Sequence, residues 1–224
     1  MTTEQKTKTS PLAIMGGIAV LVIGVTIAAL SLANPKAPVE AMPTDSSKLE
    51  RSDSWVYGEK TAKVTLVEFL DPECESCAAA HPTVRELKSK FAGKLRIVTR
   101  YMPLHATSLL AISATEAAGE QGKYWEYQDV LFRDQQNWAD DHNPNTGPVD
   151  PKTKFLEYAK ILNLDEVAFA KAMDDPKHTQ KAERDKQDGL ANGVKGTPTF
   201  FLDGKLLELN GLNDLENSIS AAIQ

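Results

Sequence analysis

Cys74-Glu75-Ser76-Cys77 stands where a buried-strand pattern gives way to a helical one, and that junction constrains the fold more than any other feature of the chain. Before it, Lys63-Val64-Thr65-Leu66-Val67-Glu68-Phe69-Leu70 is rich in β-branched and aromatic residues and is closed by Asp71-Pro72, as in a central strand. After it, Val84, Leu87 and Phe91 recur at helical spacing, with Pro82 placed where it should bend or interrupt the helix. Leu95-Arg96-Ile97-Val98-Thr99-Arg100-Tyr101 then alternates as a second strand. Short connections close strand, helix and strand only as a parallel crossover, so the core is βαβ and the class α/β.

From Ala106 to about Leu190 the periodic segments are all helical: Leu109 to Ala118, Tyr124 to Phe132, Phe155 to Leu162, Val167 to Met173 and a polar stretch starting near His178. Asn143-Pro144-Asn145-Thr146-Gly147-Pro148 interrupts them with turn formers. Strands resume late. Thr199-Phe200-Phe201-Leu202, Asp203-Gly204 and Lys205-Leu206-Leu207-Glu208-Leu209 read as a hairpin with a primed turn, and Leu212 to Ile223 as a closing helix.

Residues 11–33 carry no charge and are long enough as a helix to cross a hydrocarbon core of ~30 Å, so a transmembrane anchor is expected. An exported signal segment competes, because Ser31-Leu32-Ala33 offers small residues to a peptidase. Lys6 and Lys8 in the tail (1–10) favour a cytoplasmic N-terminus and an exported remainder. Three prolines and a polar run make 34–54 a flexible linker. The formal charge of −6, without a basic run, argues against nucleic acid as a partner.

Both cysteines of the chain lie in the one motif. A helix N-terminus offers unpaired N–H groups and about half a positive charge, which stabilises a thiolate at Cys74 and makes it the nucleophile. Cys77, one turn deeper, can resolve a mixed disulfide. A purely structural bridge across three residues would remove little chain entropy. A metal set of Cys74, Cys77 and His81 falls short of the four ligands of a closed zinc site, so no metal is expected, and His81 reads as a helix-surface residue. Glu68 breaks the apolar strand at a desolvation cost. It is expected either to exchange a proton with Cys77 or to face a partly solvated edge.

The segments Val67-Glu68-Phe69-Leu70-Asp71-Pro72-Glu73-Cys74-Glu75-Ser76-Cys77 and Gly193-Val194-Lys195-Gly196-Thr197-Pro198-Thr199-Phe200 resemble the two signatures of DsbA-like proteins of the thioredoxin superfamily. The resemblance covers 55–224. It implies a thioredoxin fold from 55–105 and 186–224 with an all-helical domain inserted at 106–185; the one transmembrane helix in front is expected from the apolar run alone. It further implies Cys74 as nucleophile, Cys77 as resolving thiol, Glu68 as buried acid, Pro198 as a cis-proline and Thr197 as the residue whose backbone pairs with an extended substrate. Glu75 and Ser76 depart from the family's commoner proline and histidine. With Asp71 and Glu73, Glu75 is expected to oppose the thiolate and lower the potential below that of the strongly oxidising members.

The expected function is a dithiol oxidase for unfolded, cysteine-containing exported proteins, needing no cofactor and recycled by a membrane redox partner. It would sit as a single-pass protein in the bacterial cytoplasmic membrane, facing the periplasm or cell exterior. A reductase or isomerase kept reduced by a membrane electron donor is the first rival, and a non-catalytic peptide-binding chaperone module the second. Residues 34–54 are too few for the dimerisation domain usual in isomerases, so a monomer is expected.

Overall fold

A computed structural model describes residues 48–139 and 150–224. The expected anchor at 11–33, the tail before it, the linker up to residue 47 and the turn at 143–148 lie outside the described residues. Among the described residues no helix is long and apolar enough to cross a membrane.

The elements are β1 (Trp55–Tyr57), β2 (Val64–Leu70), α1 (Glu75–Lys90), β3 (Leu95–Tyr101), α2 (Ser108–Glu120), α3 (Tyr124–Arg133), α4 (Pro151–Ile161), α5 (Glu166–Met173), α6 (Pro176–Ala191), β4 (Thr199–Leu202), β5 (Lys205–Leu206) and α7 (Leu212–Ile223), with a 3-10 turn at Gln135–Asn137. The sheet order is β1-β3-β2-β4-β5. β2 runs parallel to β3 and antiparallel to β4, which puts the strand before the cysteines at the centre of the sheet. β1, which has no clear sequence signal, pairs antiparallel with β3.

Strand alternation sorts β2 between two layers. Val64 and Leu66 pack with Val84, Leu87, Leu215 and Ile219 of α1 and α7. Val67 and Phe69 pack on the other face with Val98, Val194 and Phe201. α6 closes against that second face, and Gly189 permits the approach, because a Cβ there would lie 2.9 Å from the Phe69 ring. Glu68 shares its parity with Val64 and Leu66, so it points toward α1 and cannot reach a solvated edge.

The helical insertion has its own core of Ala114, Tyr127, Leu131, Trp138, Phe155 and Phe169. α6 runs unbroken across position 185/186, so the insertion returns to the sheet within one helix. Three expectations change. Pro82 does not interrupt α1, which is continuous from Glu75 to Lys90. β5 ends at Leu206 instead of Leu209, while Asp203 (φ 47°) and Gly204 (φ 81°) form the primed turn. The linker stops earlier than 54: Leu49 is buried against the sheet, the Lys48 carbonyl accepts from Arg100 (2.5 Å), and Arg51 pairs with Asp188 (2.5 Å).

Candidate active site

Cys74 is the N-cap of α1, extended at φ −72° and ψ 121°, where the first helical N–H groups have no intrahelical acceptors. Its N–H donates to the Asp71 carbonyl (3.1 Å) and its carbonyl accepts from the Ala78 N–H (3.1 Å). Both cysteines are free thiols; Cys74 is half-buried, Cys77 fully buried. The Cys77 thiol hydrogen-bonds to the Cys74 sulfur, and this is the largest influence holding Cys74 down to about 5. Partial burial opposes it, while Thr197 and the backbone N–H groups of Cys77 and Ser76 assist. Burial, followed by the hydrogen bond and charge of Cys74 and then the charge of Glu68, pushes the Cys77 thiol far up. The site thus pairs a reachable thiolate with a shielded thiol.

Opposite α1, the Thr197–Pro198 bond is cis, and the Thr197 carbonyl accepts from Cys74 Sγ at 3.3 Å. The Thr197 hydroxyl is buried without a hydrogen-bond partner of standard geometry, so it is available to the sulfur once the thiol has ionised. Glu75 and Ser76 are exposed on the first turn, where the acidic Glu75 suits the positive end of the helix. An open groove of about 430 Å³ runs beside the motif between Glu75, Ala78 and Ala79 on one side and Phe132, Arg133 and Gln135 on the other.

The thioredoxin family profile matches residues 50–221. The chain belongs to that family. A thioredoxin-like oxidoreductase from Silicibacter pomeroyi superposes with a TM-score of 0.65 at 24% identity, over 80% of this chain and 96% of that one. A variant of alpha-DsbA1 from Wolbachia pipientis gives 0.67 at 24%, over 80% and 95%. In sequence, the Na(+)/H(+) antiporter NhaA of Herminiimonas arsenicoxydans is 34% identical over 152 residues, 68% of this chain and 22% of that protein. The chain therefore spans under a quarter of the length of that curated relative. The fold is thus that of the thioredoxin family, with the cysteine pair at the mouth of its first core helix.

Two of the acidic neighbours expected to oppose the thiolate are held by other groups. Asp71 is buried and accepts from the Glu73 N–H (3.0 Å), the Leu104 N–H (2.7 Å) and the Ser108 hydroxyl (2.8 Å), and lies 2.7 Å from His105 Nδ1. Glu73 accepts from the Thr107 N–H at 2.7 Å. Both carboxylates are thus spent on the β3–α2 loop, and Cys74 shifts down. Partial burial lowers His105, but the Asp71 hydrogen bond and the charges of Asp71, Glu73 and Cys74 outweigh it, so it is raised overall. His81 is buried, not on the surface: its Nε2 lies 2.6 Å from Asp129 and its ring lies tilted against Phe132, centroids 4.8 Å apart. Among the described residues no three metal-ligating side chains gather.

Under the motif, burial raises Glu68 to about 7, with Lys88 opposing. Burial likewise lowers Lys88 to about 8, against the pull of Glu68 and Asp129. Lys88 lies 3.8 Å from the Trp125 ring centroid. It was legible in principle, since Cys77, His81, Val84 and Lys88 recur on one helix face. Between the ordinary carboxylate range and about 7 the folded protein holds a Glu68 proton that an unfolded chain has released, so this group's share of stability falls as pH rises through that window. Glu68→Gln is expected to slow release of the mixed disulfide by about 100-fold and to remove an inflection near pH 7, read by stopped-flow fluorescence. An unchanged pH profile would leave Glu68 without a role in proton transfer.

Proposed function

We propose that this chain is a dithiol oxidase acting on unfolded, cysteine-containing proteins outside the cytoplasm. In the oxidised form a client thiolate attacks Cys74 Sγ, the Cys74–Cys77 bond breaks, and Cys77 leaves with a proton for which Glu68 is the nearby acid. A second client thiolate then attacks the client sulfur of the mixed disulfide and expels the Cys74 thiolate. The client loses two electrons and gains a disulfide; the protein gains both electrons as its dithiol. Attack at Cys74 is favoured by access, since Cys77 is sealed. No cofactor enters these steps.

The observation that carries this reading is the placement of Cys74, half-buried at the mouth of α1 and within 3.3 Å of the Thr197 carbonyl, above a sealed Cys77; the Cys77 thiol and the helix mouth hold its own thiol down to about 5. A thiolate at that level stabilises the reduced form and is a good leaving group; the advantage holds above the ordinary thiol range and is lost as pH falls through about 5. It lies between about 3.5 for a strong oxidant and about 7 for a reducing thioredoxin. Glutathione equilibration is accordingly expected to return a potential between roughly −120 and −270 mV.

The extended Thr197 backbone offers strand pairing to a client, and the groove beside Glu75 and Phe132 offers room for its side chains. The uncharged run 11–33 supports a reading in which the protein is anchored in the bacterial cytoplasmic membrane with its domain in the periplasm or exterior, reoxidised by a membrane redox partner. Insulin reduction and oxidative refolding of a reduced client are expected to be catalysed by the wild type and lost in Cys74→Ala. Equal behaviour of the two would favour a non-catalytic chaperone. Thiol trapping in cells is expected to find the pair mostly oxidised; a mostly reduced pair would favour the reductase or isomerase.

A further inference from the structure

Gln135 opens the 3-10 turn after α3, and its side-chain amide leaves the helical insertion to meet the cysteine loop. Nε2 donates to the Pro72 carbonyl at 2.8 Å and to the Cys74 carbonyl at 3.1 Å. One nitrogen with two hydrogens satisfies two acceptors, which also fixes the amide orientation, because the amide oxygen could donate to neither. The residue is 4% exposed, so water does not readily replace it.

The turn carrying this amide is itself braced. The Gln135 carbonyl accepts from the Trp138 N–H (3.2 Å) and the Ala139 N–H (2.9 Å). Trp138 is buried in the insertion's core, donates Nε1–H to the Leu131 carbonyl at 2.8 Å and packs edge-on to Phe155. The amide therefore reaches the motif from a rigid frame.

We propose that Gln135 is a positioning residue for the nucleophile: its amide clamps the carbonyls on either side of Glu73, and through it the helical insertion holds Cys74 in its reactive conformation. The inference deepens the oxidase reading and rests on it. The Pro72 and Cys74 carbonyl oxygens carry partial negative charge on the loop that holds the sulfur, the second of them within the same residue. The amide hydrogens neutralise that charge, leaving the N–H groups of the first helical turn to act on the thiolate. Without the amide two buried acceptors lose a donor and the field at Cys74 becomes more negative.

The test uses the reduced full-length protein and iodoacetamide, with labelling of Cys74 followed by mass spectrometry across pH. Gln135→Leu removes both donors at similar size, and the near-isosteric Gln135→Glu removes both and adds a negative charge. The midpoint of Cys74 labelling is expected to rise by about one pH unit in the first variant and further in the second, with a fall of about 5-fold in labelling rate at pH 5 in the first and more in the second. A role confined to stability would lower the melting temperature and leave the midpoint in place. Midpoints within about 0.3 unit of wild type in both folded variants would overturn the proposal. Failure of the oxidase reading is distinct: it appears as wild-type protein no better than Cys74→Ala in client oxidation, whatever the Gln135 variants do.

Discussion

Replacing Cys77 with serine is expected to leave a protein that can attack a client disulfide and cannot let it go. Cys74 keeps its exposure, its place at the mouth of α1 and the help of Thr197 and the backbone N–H groups. The step that is lost is the intramolecular one. In the reduced wild type, Cys77 lies one turn away, within hydrogen-bonding reach of the Cys74 sulfur, so once deprotonated it meets a mixed disulfide at very high effective concentration. Turnover in insulin reduction should fall by about 100-fold or more, since release then depends on a thiol from solution. Client proteins should accumulate as covalent adducts on non-reducing gels, dispersed by dithiothreitol. Serine also donates a hydrogen bond less suited to sulfur, so the Cys74 midpoint should rise, because Cys77 is the largest influence on it. Rapid turnover with no adduct would mean that Cys77 is not the resolving thiol.

The second large effect concerns how the insertion is fastened to the sheet. Arg100 of β3 is 0% exposed, and its Nη2 reaches Asp185 Oδ1 (2.8 Å) and Asp188 Oδ2 (2.6 Å) on α6. Arg51 joins through Asp188 (2.7 Å). A neighbouring group continues the network into the insertion: Glu116 accepts from Tyr101 (2.7 Å), Trp55 (2.7 Å) and Lys181 (2.9 Å). Buried charges of this kind are tolerated as a set; removing one member strands the rest. Arg100→Ala is expected to cost about 3–5 kcal/mol in urea unfolding, because among the described residues Asp185 would keep as cation only Lys181, at 3.7 Å, and Asp188 only the more exposed Arg51. In a domain of this size that corresponds to a melting temperature lower by roughly 10 °C. A triple replacement of Arg100, Asp185 and Asp188 by apolar residues of similar volume should recover much of the loss. A cost below about 1 kcal/mol for the single variant would show that the network does not fasten β3 to α6.

Much of the site was legible before folding was considered. Cys74 and Cys77 declare themselves because a CxxC at a strand-to-helix junction is a local arrangement, and helix-end electrostatics acts over one turn. The closing helix from Leu212 to Ile223 and the Asp203-Gly204 turn were likewise readable, since periodicity and turn chemistry are short-range. What the acidic neighbours touch was not legible, for the opposite reason. Counting Asp71 and Glu73 as charges beside Cys74 leaves out what they touch, and their partners Leu104, Thr107 and Ser108 come from a loop and the helix start after it, some thirty positions away.

The amino-acid order determined by itself that a nucleophilic sulfur would open the first core helix, that a parallel βαβ unit would carry it, and that an all-helical stretch would interrupt the strands. Those outcomes follow from steric and dipolar preferences acting within a few residues. Only the tertiary structure decided that Glu68 turns inward toward Lys88, that His81 is buried on Asp129, and that Gln135 reaches across to the carbonyls of Pro72 and Cys74. Partners separated by tens of residues meet when the sheet and the insertion pack together, and desolvation at that contact gives each buried polar group its task.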